Sequence, residues 1–406
     1  MNHQKYTLDN KIQLLHVYKN SPVSYCGIII NAGSRDELAS EHGIAHFIEH
    51  TIFKGTKKRK SFHILSRMDD VGGSLEAFTT KEETWIYSVF LNKYYERFIE
   101  LLSDIIFNPT FPEKEIEKEK SVILDEINSY KDSPSEQIYD DFEEIIFRNH
   151  PLGRQILGNE KILKKIRRNH LLEFIRNNYT TDQMIICSVG NISFEKIKRI
   201  VIKHFNAQPL KTKTRKRVAF KNFKPNQIIH KIDSYQAHCV IGTIAYDARH
   251  KNRLGLILLN NILGGPGMNS RLNLNIRERY GLAYNIESNY VRYSDTGHWS
   301  VYFGTDHKNL DKCIELTHKE LDLLKNKKLG ILQLHKAKQQ LIGQLAISAE
   351  SSANQLFALG KSFLLYNDIE PLEKVYKKIE DISAQSLLEI ANEIFNKQNF
   401  TTLIFK

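Results

Sequence analysis

Two stretches far apart in the chain follow one plan. LLEFIRNNYTTDQMIICSVGN, at residues 171–191, reads as a helix and then a short apolar strand; LLEIANEIFNKQNFTTLIFK, at 387–406, does the same. Earlier in each half the pattern repeats again. SYCGIIINAGSRDE precedes a helix through Gly43–Lys54, and AHCVIGTIAYDARH precedes one through NRLGLILLNNILGG. Strand-like segments follow at 74–90 and 283–304, and then long helices. A duplicated order of elements constrains the fold strongly, because each copy must bury its own apolar faces. The expectation is an α+β chain of two homologous domains, each with sheet and helices in layers: 1–208, a linker at 209–225, and 226–406.

Composition agrees with two such domains. The chain has 406 residues, 41% hydrophobic and 26% charged, enough for two real cores. No apolar run approaches a membrane span, and the start MNHQKYTLDNK lacks an apolar signal region, so a cytoplasmic protein without a membrane partner is expected. Net charge is +11, but KTKTRKRVAFKNFK at 211–224 alone holds seven Lys or Arg and no acid. That segment reads as a solvated linker, and no nucleic-acid partner is expected, since no recognition motif accompanies the charge. Cys26, Cys187, Cys239 and Cys313 form no CxxC pair, and three sit in apolar β-branched runs, as buried thiols do.

The two halves differ where chemistry would lie. GIAHFIEHTIFKGT puts His46, Glu49 and His50 within five residues, whereas the matching helix of the second half reads LILLNNILGG. On a helix, residues four apart project from one face, so both imidazoles can reach one ion, with Glu49 on the same face. H-x-x-E-H is the inverzincin pattern, in which the carboxylate works as base. The same residues also suit the wet face of an ordinary helix. His42 lies on that face too and reads as an accessory or surface residue. The helix PEKEIEKEKSVILDEINSYKD offers a further acid: most of its carboxylates suit a solvated face, but Glu126 sits between Leu124 and Ile127, with Glu119 two turns earlier on the same stripe. Glu126 is read as a third ligand and Glu119 as its outer support.

These motifs together resemble the insulinase/pitrilysin family of zinc metallopeptidases, closest to the branch of the bacterial peptidasomes and the mitochondrial processing peptidase β subunit. The likeness runs through GIAHFIEHTIFKGT, GGSLEAFTTKEET, EKEKSVILDEI, HPLGRQILG and LGGPGMNSRLNLNIRERYGLAY, nearly the whole chain. It implies His46, His50 and Glu126 as ligands of one zinc ion per chain, Glu49 as general base and Glu119 as a nearby acid. Arg277 and Tyr284 match a pair that binds the substrate backbone and stabilises the oxyanion. Ser74, Leu75, Glu76, Ala77 and Phe78 match an edge strand that takes up extended peptide by β-augmentation. The resemblance further implies an endopeptidase for unfolded peptides, working as a homodimer that closes around a chamber; a non-catalytic processing or assembly subunit is the other reading. The sequence departs from the family at Glu76-Ala77, where Asn-Ala is usual. A carboxylate there is expected to add charge near the metal and to alter substrate preference.

Overall fold

Apolar β-branched runs form the strands, and their alternation decides which core each residue joins. The computed structural model of the chain describes residues 3–214 and 216–406. A six-stranded sheet contains β1 (Gln4–Thr7), β2 (Gln13–Tyr18), β3 (Val23–Ile30), β4 (Ser74–Thr79), β5 (Thr84–Leu91) and β6 (Met184–Gly190), ordered β1-β2-β6-β3-β5-β4. A five-stranded sheet contains β7 (Gln227–His230), β8 (Ala237–Ala245), β9 (Ala283–Arg292), β10 (Gly297–Thr305) and β11 (Thr401–Phe405), ordered β7-β11-β8-β10-β9. Taking β2–β6 against β7–β11 in chain order, the two sheets have one topology. The first and last strands of each set pair in parallel, and every other ladder is antiparallel. The duplication read from the sequence is thus a duplication of sheet topology.

Both faces of the first sheet are covered, which is why its central strands read as continuous apolar runs. In β3, Cys26, Ile28 and Ile30 join one cluster while Ile29 joins another; in β6, Ile186 and Cys187 divide in the same way. All four cysteines are buried and unpaired, and burial pushes the Cys26 thiol up to about 12.

The chain forms two compact units that cross its halves. The first comprises residues through Asn128, then Arg154–Val218 and Ser348–Pro371; the second comprises Ser129–Gly153, Ala219–Ile347 and Leu372–Lys406. The helix Ser352–Tyr366 belongs to the first unit, where Leu356, Leu359 and Phe363 cover one face of the six-stranded sheet. The helix Pro134–Ile146 belongs to the second, where Ile138, Phe142 and Ile146 pack with Val240 and Leu403. A division into 1–208 and 226–406 assigns each of these helices to the half in which the chain encodes it. Helical periodicity shows that a helix has an apolar stripe but not which sheet receives it.

The basic segment also differs from a solvated linker. Lys213 Nζ reaches the Asn31 carbonyl (2.7 Å) and Asp36 (3.0 Å), and Arg217 pairs with Asp36 at 2.6 Å. Asp36 is buried, and a buried carboxylate needs cations; the flanking positive charges hold its pKa down against the effect of burial. Arg215, in the same segment, lies outside the described residues.

The Ser352–Tyr366 helix can seat on its sheet because Gly360 has no side chain. A Cβ there would lie 2.5 Å from the Trp85 ring and 3.0 Å from Cys187 Sγ. Gly360→Leu is therefore expected to destabilise the protein by about 3 kcal/mol, read as a lowered thermal midpoint. Gly343→Leu, on a helix position with open space around it, should leave the midpoint unchanged or raise it slightly.

Candidate metal centre

The helix Ile44–Thr51 begins abruptly, and its start is built from backbone contacts. Gly43 is left-handed (φ 96°), as is Gly158 (φ 89°), and a Cβ on Gly43 would lie 2.7 Å from the Gly158 Cα. Two glycines allow this approach and the positive φ it requires. The Glu37 carboxylate accepts hydrogen bonds from the N–H of Gly43 (3.0 Å) and Ala45 (2.9 Å), satisfying donors that the first turn leaves open. Glu37 is fully buried, and burial pushes its carboxyl up to about 8 while the two N–H groups pull the other way. His42 Nε2 donates to the Gln155 carbonyl (2.8 Å), so His42 serves the loop beside the helix and stands outside the metal-ligating group.

Ile44, Ala45, Phe47, Ile48 and Thr51 bury one side of the helix. His46, Glu49 and His50 occupy the remaining stripe, with the two imidazoles edge to face at 4.6 Å. The acidic helix Glu113–Lys131 packs through Ile116, Ile123 and Ile127, and this stripe carries Glu119 and Glu126 inward with it. Among the described residues, His46, His50 and Glu126 form a group able to hold a metal ion, with one donor atom from each within 4.8 Å of the others.

The two separations that involve Glu126 fit a small tetrahedral ion. Glu126 Oε2 is 3.7 Å from His46 Nε2 and 3.4 Å from His50 Nε2. Those separations are long for hydrogen bonds, but a tetrahedron with bonds of roughly 2.0–2.1 Å has edges of about 3.4 Å. Burial, helped by the neighbouring His50, lowers the His46 pKa to about 3, keeping the imidazole in the neutral form that ligates metals. His50 Nδ1 donates to Glu119 Oε2 (3.2 Å), which leaves the Nε2 lone pair facing Glu126. The other Glu119 oxygen pairs with Lys54 Nζ at 2.6 Å. His46 Nδ1 is buried without a hydrogen-bond partner.

Glu49 is half-buried beside this group. Burial raises its pKa, the Glu126 charge adds to the rise, and Thr79 of β4 and His50 oppose it. The Thr79 hydroxyl is itself buried without a well-formed hydrogen bond.

β4 is an edge strand, and it packs against the metal helix. Leu75 and Ala77 turn to the core that contains this helix, while Phe78 turns to the opposite face, against Trp85 and Phe357. Glu76 shares the Phe78 face: its cross-strand partner is Tyr87, whose hydroxyl donates to its carboxylate. The expectation that Glu76 adds charge beside the metal is therefore corrected. Adjacent strand positions point to opposite faces, and Glu76 is an odd number of residues from Thr79.

Arg277 and Tyr284 belong to the second unit. Arg277 lies in the segment Asn273–Glu278 with its guanidinium near Asn273 and Glu278 and nearly half of its side chain exposed; Tyr284, in β9, is 82% exposed. Sequence reasoning did not find Glu37 or Lys54. The spacing 46, 50, 54 could have suggested Lys54, but no pattern marks Glu37 as the cap. Glu37→Ala is expected to cost about 1–3 kcal/mol, since it strands two buried N–H donors. It should also weaken zinc binding, which a competitive chelator titration beside a thermal melt would read.

Comparison with known proteins places these features in context. The family model described as Insulinase (Peptidase family M16) matches residues 14–160, and that described as Peptidase M16 inactive domain matches 165–341. A Bacillus subtilis protein named uncharacterized zinc protease YmxG is 32% identical over 404 residues, covering 99% of this chain and 98% of its own length. A Rickettsia felis protein named uncharacterized zinc protease is 33% identical, covering 93% and 91%. In fold, the chain is similar to the crystal structure of a protease from Helicobacter pylori, with a TM-score of 0.91 at 22% identity over 100% of this chain and 99% of that one. A Pseudomonas fluorescens structure titled peptidase M16 inactive domain gives the same TM-score at 20% identity.

Proposed function

Because the chain belongs to the insulinase family, peptidase family M16, we propose that it is a zinc-dependent endopeptidase cleaving unfolded peptides and oligopeptides. The observation that carries this reading is the His46, His50 and Glu126 donor set, with donor atoms within 4.8 Å of one another and the Glu49 carboxylate beside it. One zinc ion bound there would polarise the scissile carbonyl and make water a stronger nucleophile. Glu49 takes the proton from the attacking water and returns it to the leaving nitrogen, a role suited to a carboxylate whose pKa is raised toward the working pH. Glu119 holds the His50 tautomer through Nδ1, and Lys54 pairs with its other oxygen and fixes its orientation for that task.

Extended peptide adds to the free edge of β4, through Ser74 to Phe78, by backbone hydrogen bonds that tolerate varied sequence. Arg277 and Tyr284 come from a second copy of the chain and donate to the developing oxyanion. Their exposure suits groups that await a ligand from outside their own unit. The resulting homodimer encloses its substrate in a chamber. Among the described residues no helix is long and apolar enough to cross a membrane.

The second reading is a weak or inactive processing or assembly subunit of the same fold. The description of the model matching 165–341 as an inactive domain leaves this reading open. That half lacks a His–Glu motif of its own, since its corresponding helix Arg253–Gly264 reads RLGLILLNNILG.

Two variants and the wild type separate these readings. Glu49→Gln should retain about one zinc per chain and lose peptide cleavage by at least ~100-fold, the usual scale of general-base catalysis. Glu126→Gln should lower metal content measured by atomic emission. Wild-type protein that holds zinc and cleaves no peptide in a mixed digest would select the inactive subunit instead. For the dimer, mixing Glu49→Gln with Arg277→Ala should restore about a quarter of wild-type cleavage, because half of the dimers become heterodimers with one intact site. No recovery after subunit exchange would mean that the pair acts within one chain or not at all.

A further inference from the structure

Glu76 is the one residue of β4 that is exposed, and it lies on an edge with no further strand beyond it. Its carboxylate is oriented by the Tyr87 hydroxyl across the β4–β5 ladder. Among the described residues it has no ion-pair partner. Lys361 of the helix Ser352–Tyr366, which covers one face of this sheet, pairs with Glu83 at 3.1 Å. At one end of β4 the Ser74 hydroxyl is buried without a hydrogen-bond partner, and at the other the Thr79 hydroxyl lies beside Glu49 without a well-formed hydrogen bond.

A peptide added to this edge places a side chain directly opposite Glu76, on the same face and with Cβ atoms about 5 Å apart. Thr79 lies beside Glu49, and Glu76 is three residues earlier, roughly 10 Å along the strand. The peptide residue opposite Glu76 therefore sits about three residues from the bond being cut. It points to the sheet face away from the metal, where Glu76 and the Tyr87 ring form its surroundings.

We infer that Glu76 is a specificity-determining residue that selects a lysine or arginine about three residues from the scissile bond of an extended peptide. This rests on the peptidase reading above. A cation at that position gains an exposed carboxylate already fixed by a neighbouring phenol, and an acid meets like charge directly opposite. Selection is modest, because the pair stays in contact with water, and it falls with ionic strength.

The test uses a neutral extended peptide whose cleavage point by the zinc-loaded wild type is located first. Lys, Gln or Glu then replaces the residue three positions to either side of that point. Binding of labelled versions to the zinc-loaded Glu49→Gln protein is measured by fluorescence anisotropy, with and without a second substitution at residue 76. On one side of the cut the Lys peptide should bind about 2- to 5-fold tighter than the Gln peptide at low salt, and the Glu peptide more weakly than either. The ratios should shrink at high salt, converge in Glu76→Gln and in Glu76→Asn, and reverse in Glu76→Lys. Salt-sensitive ratios that reverse with the charge at residue 76 are not the signature of a merely structural role. If the neutral peptide is cleaved but the ratios ignore residue 76, the specificity inference is overturned and the peptidase reading stands. If the wild type cleaves nothing and the Glu49→Gln protein binds none of the three peptides, both fall.

Discussion

Glu119 joins its own helix to that of His50, 69 residues earlier in the chain, and the candidate site depends on that junction. One oxygen accepts a hydrogen bond from His50 Nδ1 and the other pairs with Lys54, so a single buried carboxylate sets a tautomer and ties the end of the HxxEH segment to the acidic helix. Without a partner such a carboxylate would be expensive to bury. With two, it converts an amphipathic helix into a support that aims Glu126 at the imidazoles. Glu37 does the corresponding work at the other end, closing the first turn from a loop.

That loop also meets the docked basic segment. Asp36, adjacent to Glu37, is held by Lys213 and Arg217, while Arg35 pairs with Glu82 at 2.6 Å. The run of positive charge that dominates the composition is thus partly a set of counterions for buried acids of the first unit. A charge run is read as solvated when nothing nearby in sequence opposes it. Here the opposing carboxylates lie more than 100 residues away, where local pattern has no reach.

The repeat and the HxxEH stripe were legible because both are local. Strand alternation, helix periodicity and residues four apart are properties of a short window. Glu126 and Glu119 were legible for a related reason, since acids on the apolar stripe of a helix stand out against their neighbours. Glu37 and Thr79 were not, because a carboxylate capping a helix from eight residues away and a hydroxyl on an adjoining strand leave no periodic trace. The face of Glu76 was misjudged although strand alternation is simple. Assigning a face requires knowing which side of β4 receives the metal helix, and only packing settles that.

By itself the sequence determined the identity and order of the elements, their duplication, and the residue types able to bind a metal. Those follow from backbone periodicity and side-chain chemistry, which need no partner. Tertiary structure alone decided which sheet each covering helix serves, which acids pair with the basic segment, and how far apart three donor atoms stand. These are long-range choices made by burial. The Ser352–Tyr366 helix joins the first unit because Gly360 leaves room for Trp85, and the donors converge because two apolar stripes pack on one core.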